Sequence, residues 1–195
     1  MKPFFRQYSY SMVKMFVNQF AISIFGAVLA MATFKAHRGI TIAVSVCAIV
    51  FYLFLLYTMT WEIGAKDRVS VDSGKKAYRP HTGLTLSLFA NMPNFLLALI
   101  FTVSYPFMGT QRWAGNLAAI VTVIANILEG MYLGLITSIS IGGVVMQRLW
   151  WTYFLITVPA LLISWLAYYL GYKNIKYTTL FDYKDMSKPR ADRRK

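Results

Sequence analysis

The chain is short of everything that usually carries reaction chemistry. It has one cysteine and two histidines, and only seven acidic residues in 195. With one thiol, Cys47, no internal disulfide can form, and nothing basic flanks it in sequence to activate it, so it reads as a small packing residue. His37 and His81 stand far apart and fall on opposite sides of the topology derived below, which argues against a histidine metal site. The seven acids make no catalytic spacing. We therefore expect no enzyme, no cofactor and no metal; a lipid-acting membrane enzyme is the weakest of three functional readings. The chain also lacks internal repeats and low-complexity tracts.

Charge of either sign is scarce, at 14% of residues, and 57% are hydrophobic. Soluble domains hold about 45–50% apolar residues. Here the apolar residues gather into five runs, 15–34, 40–61, 84–107, 113–145 and 150–172. Runs of about 20 residues match the thickness of a bilayer, and open strands cannot span one. The expected fold is all-α and polytopic, with a membrane domain over 1–172, a cytoplasmic loop over 62–83 and a basic cytoplasmic tail over 173–195. Ala30-Met31-Ala32 has the look of a signal-peptide cleavage site, but the run before it is long enough to span, so a retained first helix is expected.

The basic residues set the topology. Lysine and arginine outnumber aspartate and glutamate 20 to 7. Positions 1–14, 62–83 and 173–195 hold 16 of the 20 basic residues, and cytoplasmic loops retain such residues. Five crossings would put the tail on the wrong side. The run from Trp113 to Val145 is too long for one helix: its 33 residues would make a rod of about 50 Å against a core of about 30 Å. Split at Glu129-Gly130 it becomes a hairpin of two helices of about 16 residues. This gives about six transmembrane helices with both termini cytoplasmic, and leaves only Lys35, Arg38, Arg112 and Arg148 outside. Trp61, Trp113, Trp150, Trp151, Tyr168, Tyr169 and Tyr172 then fall at interfaces, as aromatic belts do.

Gly130, Gly134, Ser138 and Gly142 recur every four positions, and Ala114 and Ala118 precede them. Such small-residue ridges let membrane helices approach closely. Glu129 is the only charge between Arg112 and Arg148. In a full hairpin it is a wet, polar turn near the cytoplasmic headgroups, and this is the expectation. In a hairpin that enters and returns it would lie inside the membrane, where a carboxylate is costly and marks function.

Asn91 and Asn94 flank Pro93, which breaks the third run. The break reads as a kink held by its asparagines, as an interfacial helix over 84–90 followed by a capped start at Asn91, or as a substrate or ion site of the kind that broken helices line. Asn91, Asn94, Asn126 and Glu129 make the candidate polar intramembrane site, with Asn18 and Gln19 able to join it. In the loop, Val69–Tyr78 reads as a small β-hairpin turning at Asp72-Ser73-Gly74. Gly74-Lys75 only partly matches a phosphate-binding loop, because Val69 and Lys76 occupy defining positions. Glu62, Lys66 and Asp67 read as a surface charge network. The tail's end, KPRADRRK, suits anionic lipid.

These readings point to a transport-related membrane subunit of a larger complex, in a bacterial cytoplasmic membrane. Its expected partners are anionic lipids, other membrane subunits and a cytosolic ATPase, with no nucleic acid. The competing reading is a scaffold or assembly subunit, favoured by the small-residue faces and the lack of clear chemistry.

Overall fold

The computed structural model of the protein describes residues 2–35 and 37–175. Two long helices, α1 (Lys2–Thr33) and α2 (Arg38–Asp72), run antiparallel from a short connection. α3 (Thr82–Ala90) and α4 (Met92–Ser104) form one bent rod. α5 (Arg112–Leu128) leads through a single 3₁₀ turn (Gly130–Tyr132) into α6 (Leu133–Ser138). A two-stranded antiparallel ribbon follows, β1 (Ser140–Ile141) with β2 (Val144–Val145), paired Ser140 to Val145 and Ile141 to Val144. α7 (Thr152–Tyr172) closes the fold between α2 and α3.

Three helices, α1, α2 and α7, are each long and apolar enough to cross a membrane, and two bent pairs bring the total to as many as five. The pairs are α3–α4, bent by 61°, and α5 with the 3₁₀ turn and α6, bent by 93°.

Local chemistry accounts for both bends. Pro93 lies in the first turn of α4, where its missing N–H costs nothing, and Asn91 takes a non-helical conformation just before it. The Asn91 Nδ2 donates to the Ser87 carbonyl at 2.9 Å, and the Asn94 Nδ2 donates to the Asn91 Oδ1 at 3.2 Å, so the asparagines serve groups at the break. At the second bend Glu129 leaves the helical region, at φ −128° and ψ 28°.

The buried positions of α1 are Tyr8, Met12, Met15, Gln19, Ser23, Gly26 and Ala30, a stripe spaced by threes and fours. On α2 the stripe is Thr41, Ser45, Ala48, Tyr52, Leu56, Thr60, Gly64 and Asp67. The α2 stripe is mainly small and polar and that of α1 sets Tyr8, Met12 and Met15 beside Gln19, Ser23, Gly26 and Ala30, whereas the exposed faces carry Val13, Val17, Phe20, Ile24, Val50, Phe51 and Phe54. Glycines let the backbones touch: a Cβ at Gly64 would stand 2.3 Å from the Tyr168 carbonyl oxygen, and one at Gly171 would stand 2.1 Å from that of Trp61.

Three local expectations change. α2 continues to Asp72, so no β-hairpin forms over 69–78; the chain turns at Ser73-Gly74, with Gly74 at φ +71°. The fourth apolar run breaks at Glu129-Gly130 as expected, but its second arm is one 3₁₀ turn and a six-residue helix rather than a helix of about 16 residues. Gly142 leaves the small-residue ridge altogether and occupies the turn of the β-ribbon at φ +60°. The ribbon has Gly142-Gly143 at its tip, and two positive-φ residues in a tight turn favour a hairpin over continued helix. From residue 176 onward the expected basic tail lies outside the described residues.

Candidate functional site

The second arm returns to the end of the bundle that the first arm left. Gly134 packs against Thr41 and Ser45 near the start of α2, and Thr137 and Ser138 stand beside Phe34 and Arg38. Gln147, just after the ribbon, donates its Nε2 to the Asn126 Oδ1 on α5 at 3.0 Å. Lys35, Arg38, Arg112 and Arg148 thus belong to one end of the bundle. Lys66, Arg68, Lys75, Lys76 and Arg79 belong to the other.

The bend itself sits midway along the apolar stretch of α1, residues 15–33. The Ser23 Oγ donates to the Ile127 carbonyl at 2.7 Å and also accepts from the Gly130 N–H. The Gln19 Nε2 donates to the Leu128 carbonyl at 3.4 Å. These bonds satisfy carbonyls that the end of α5 leaves open. Gly130 and Gly26 make the close approach possible: a Cβ at Gly130 would meet the Ser23 carbonyl oxygen at 2.4 Å, and one at Gly26 would meet the Met131 Cα at the same distance. At 1.5 Å per residue, Ser23 lies about 12 Å along the helix from Met15 and about 15 Å from Thr33. Glu129 is therefore nowhere near an end of the bundle, and it is only 5% exposed. The expectation of a wet hairpin tip is overturned, because the short second arm stops the chain at mid-height.

Three tyrosines surround this carboxylate within electrostatic reach: Tyr52 from α2, Tyr132 from the 3₁₀ turn and Tyr153 from α7. Among the described residues no cation pairs with Glu129; the ion pairs are Glu62–Lys66, Arg68–Asp72 and Asp67–Lys76. The Tyr132 hydroxyl, the Ser45 Oγ and the Asn94 Oδ1 are buried without a hydrogen-bond partner, whereas the Tyr153 hydroxyl faces Thr122 and Gln147. Tyr52 links the two breaks. Its hydroxyl stands 3.5 Å from the Gln19 Oε1, and it faces both Asn91 and Glu129.

Of the sequence-predicted set, Asn91 and Asn94 meet Glu129's surroundings through Tyr52, while Asn126 turns toward Gln147. Gln19 joins the bend, whereas Asn18 donates to the Met59 Sδ at 2.8 Å. Ser138 is half-buried at the end of α6. The tyrosines were missed, since Tyr in an apolar run is ordinarily a packing residue. One signal was present: Tyr52 lies on the polar stripe of α2.

A second polar cluster holds the far end together. Asp67, expected on the surface, is 5% exposed. Its Oδ2 accepts from Tyr8 at 2.5 Å and from Tyr168 at 2.8 Å, and its Oδ1 pairs with the Lys76 Nζ at 2.7 Å. Lys76 also lies over the Tyr8 ring, 4.3 Å from its centre. Burial lowers the Lys76 ammonium to about 8, with repulsion from Arg79 adding to the effect, so it remains a cation at neutral pH. Glu62 and Lys66 do form the expected exposed pair, without Asp67.

Among the described residues no group of three or more histidines, cysteines or acids is placed to hold a metal. No family model, curated protein or solved structure matches the chain.

Proposed function

We propose that the chain is a multi-pass membrane protein of the cytoplasmic membrane and a transport-related subunit of a larger complex, with Glu129 at its working site. Its outer faces carry many large apolar side chains, while its buried positions include polar ones such as Gln19, Ser23, Thr60, Asn91 and Glu129, and lipid is the solvent that suits such a surface. In this reading α1, α2, the α3–α4 pair and α7 cross the bilayer, and the α5–α6 pair enters from the outer side and returns. Four crossings keep both termini cytoplasmic. The basic end of the bundle then faces the cytoplasm and the end with four basic residues faces out, in accord with charge-directed insertion. These four crossings and one re-entrant pair replace the count of six full spans.

The observation that carries the transport reading is the buried carboxylate at the α5–α6 break, which Tyr52 links to Asn91 at the α3–α4 break. Isolated charge at mid-membrane depth is costly and is kept where an ion or substrate must be handled. Discontinuous helices supply unpaired backbone and polar side chains at the same depth. Anionic lipid at the inner face, further membrane subunits and a cytosolic ATPase are the partners that fit.

Glu129→Gln tests the reading, since it keeps shape and hydrogen-bonding capacity while removing the charge. A host that requires the gene should lose growth at a normal level of the variant protein. Full growth with Glu129→Gln would leave the scaffold reading in its place.

A further inference from the structure

A cleft of about 430 Å³ opens at the basic end of the bundle, where the first turns of α1, the segment 78–81 and the start of α3 come together. Its walls are apolar, with Phe4 and Phe5 from α1 and Phe89 from α3. The Phe5 and Phe89 rings meet edge-on, 4.8 Å between centres. Arg79, His81 and Thr85 supply its polar side. Among the described residues no acid lines it. None pairs with Arg79 either, because Glu62, Asp67 and Asp72 are taken by Lys66, Lys76 and Arg68.

The chain is built to keep Arg79 at this mouth. Thr82 donates its backbone N–H and its hydroxyl to the Arg79 carbonyl, at 3.3 and 2.9 Å. Pro80 fixes a backbone dihedral of the next residue. His81, at the N-cap of α3, makes no capping bond through its side chain, so the imidazole is not committed to the helix.

A small aqueous anion would gain nothing from the phenylalanine walls. A neutral apolar molecule would leave Arg79 without a partner. The ligand that uses both parts is amphipathic and anionic, and the planar fork of arginine matches a phosphate. We propose that the cleft binds one anionic phospholipid of the inner leaflet, with its phosphate on Arg79 and His81 and its glycerol and first methylenes among Phe4, Phe5 and Phe89. The cleft is large enough for a headgroup and glycerol but not for two acyl chains. The chains leave over Leu84 and Leu88, one turn apart on α3 and both exposed. This is one lipid on named groups, separate from the diffuse attraction expected of the basic tail. It rests on the proposed topology for the leaflet it draws from, and not on Glu129 being the working site.

The test is protection of a thiol in the cleft, read on the full chain in neutral detergent. Thr85→Cys in a Cys47→Ala background is modified with N-ethylmaleimide while dioleoylphosphatidylglycerol, dioleoylphosphatidylcholine or glycerol 3-phosphate is titrated in. The anionic lipid should slow modification, and the other two should not at the same concentrations. Adding Arg79→Gln should raise the phosphatidylglycerol concentration for half-protection about tenfold, the size of one charge-assisted hydrogen bond. Arg79 is exposed, so the melting temperature without lipid should be unchanged. Lys75→Gln removes a charge from the same end but outside the cleft, and should leave protection as it was. No protection by phosphatidylglycerol would overturn the proposal. So would equal protection by phosphatidylcholine, which would mean an apolar contact only, or by glycerol 3-phosphate, which would mean a soluble anion. Equal weakening by Lys75→Gln and Arg79→Gln would reduce the site to diffuse charge and overturn it as well. Protection in detergent does not depend on sidedness, so its failure is distinct from a failure of the topology, which labelling at position 74 in intact cells reads.

Discussion

Asp67 and Glu129 are two buried carboxylates with opposite treatment. Asp67 accepts two tyrosine hydroxyls and pairs with Lys76, so its charge is neutralised within the protein. Breaking such a pair by removing one partner costs about 3–5 kcal/mol, because the other charge is left buried. Lys76→Met should therefore lower stability by about that amount in detergent unfolding. Asp67→Asn combined with Lys76→Met should recover most of the loss, and a double-mutant cycle reads the coupling directly. Additive losses would mean that Asp67 is solvated after all. Asp67 was legible in principle. The buried stripe of α2 continues through Thr60 and Gly64 to position 67, but ending the helix at Trp61 on hydropathy alone hid it.

At the scale of elements, the α5–α6 pair depends on glycines where backbones meet. Gly134 faces Thr41 and Ser45, and a Cβ there would stand 2.2 Å from the Ser45 Oγ. Gly134→Leu should detach α6 from α2, with overpacking costing about 1–3 kcal/mol or more. Gly142, four residues beyond Ser138 in the same sequence pattern, has open space around it and a positive φ. Gly142→Asn should be nearly neutral, because asparagine tolerates that backbone region. Melting temperatures of the two variants in one detergent check both statements, and equal losses would restore a continuous ridge. Periodicity identified Gly130 and Gly134 as small residues on one face. It could not reveal that the helix ends at Ser138, because a four-residue repeat carries no information about where hydrogen bonding stops.

For the whole molecule, the proposed four crossings make a topological prediction. In a Cys47→Ala background, a cysteine at position 142 should react with an impermeant thiol reagent in intact cells. One at position 74 should react only after permeabilisation. Labelling at 74 from outside would invert the orientation, and protection of 142 would mean that the ribbon does not face out. The proposed sidedness rests on 16 basic residues against four, whose combined preference is large compared with any single contact.

Composition and charge were enough by themselves to give a helical chain with long apolar spans, the break at Glu129-Gly130 and the break beside Pro93, because each rests on a local property: transfer of apolar side chains, the missing donor of proline, the steric freedom of glycine. Tertiary structure alone decided the depth of Glu129. That depth depends on how far the second arm returns, on Ser23 and Gln19 bonding the carbonyls at the end of α5, and on Gly26 and Gly130 letting two backbones meet. Those partners lie more than 100 residues away in sequence, and no pattern within a single run of the chain encodes them.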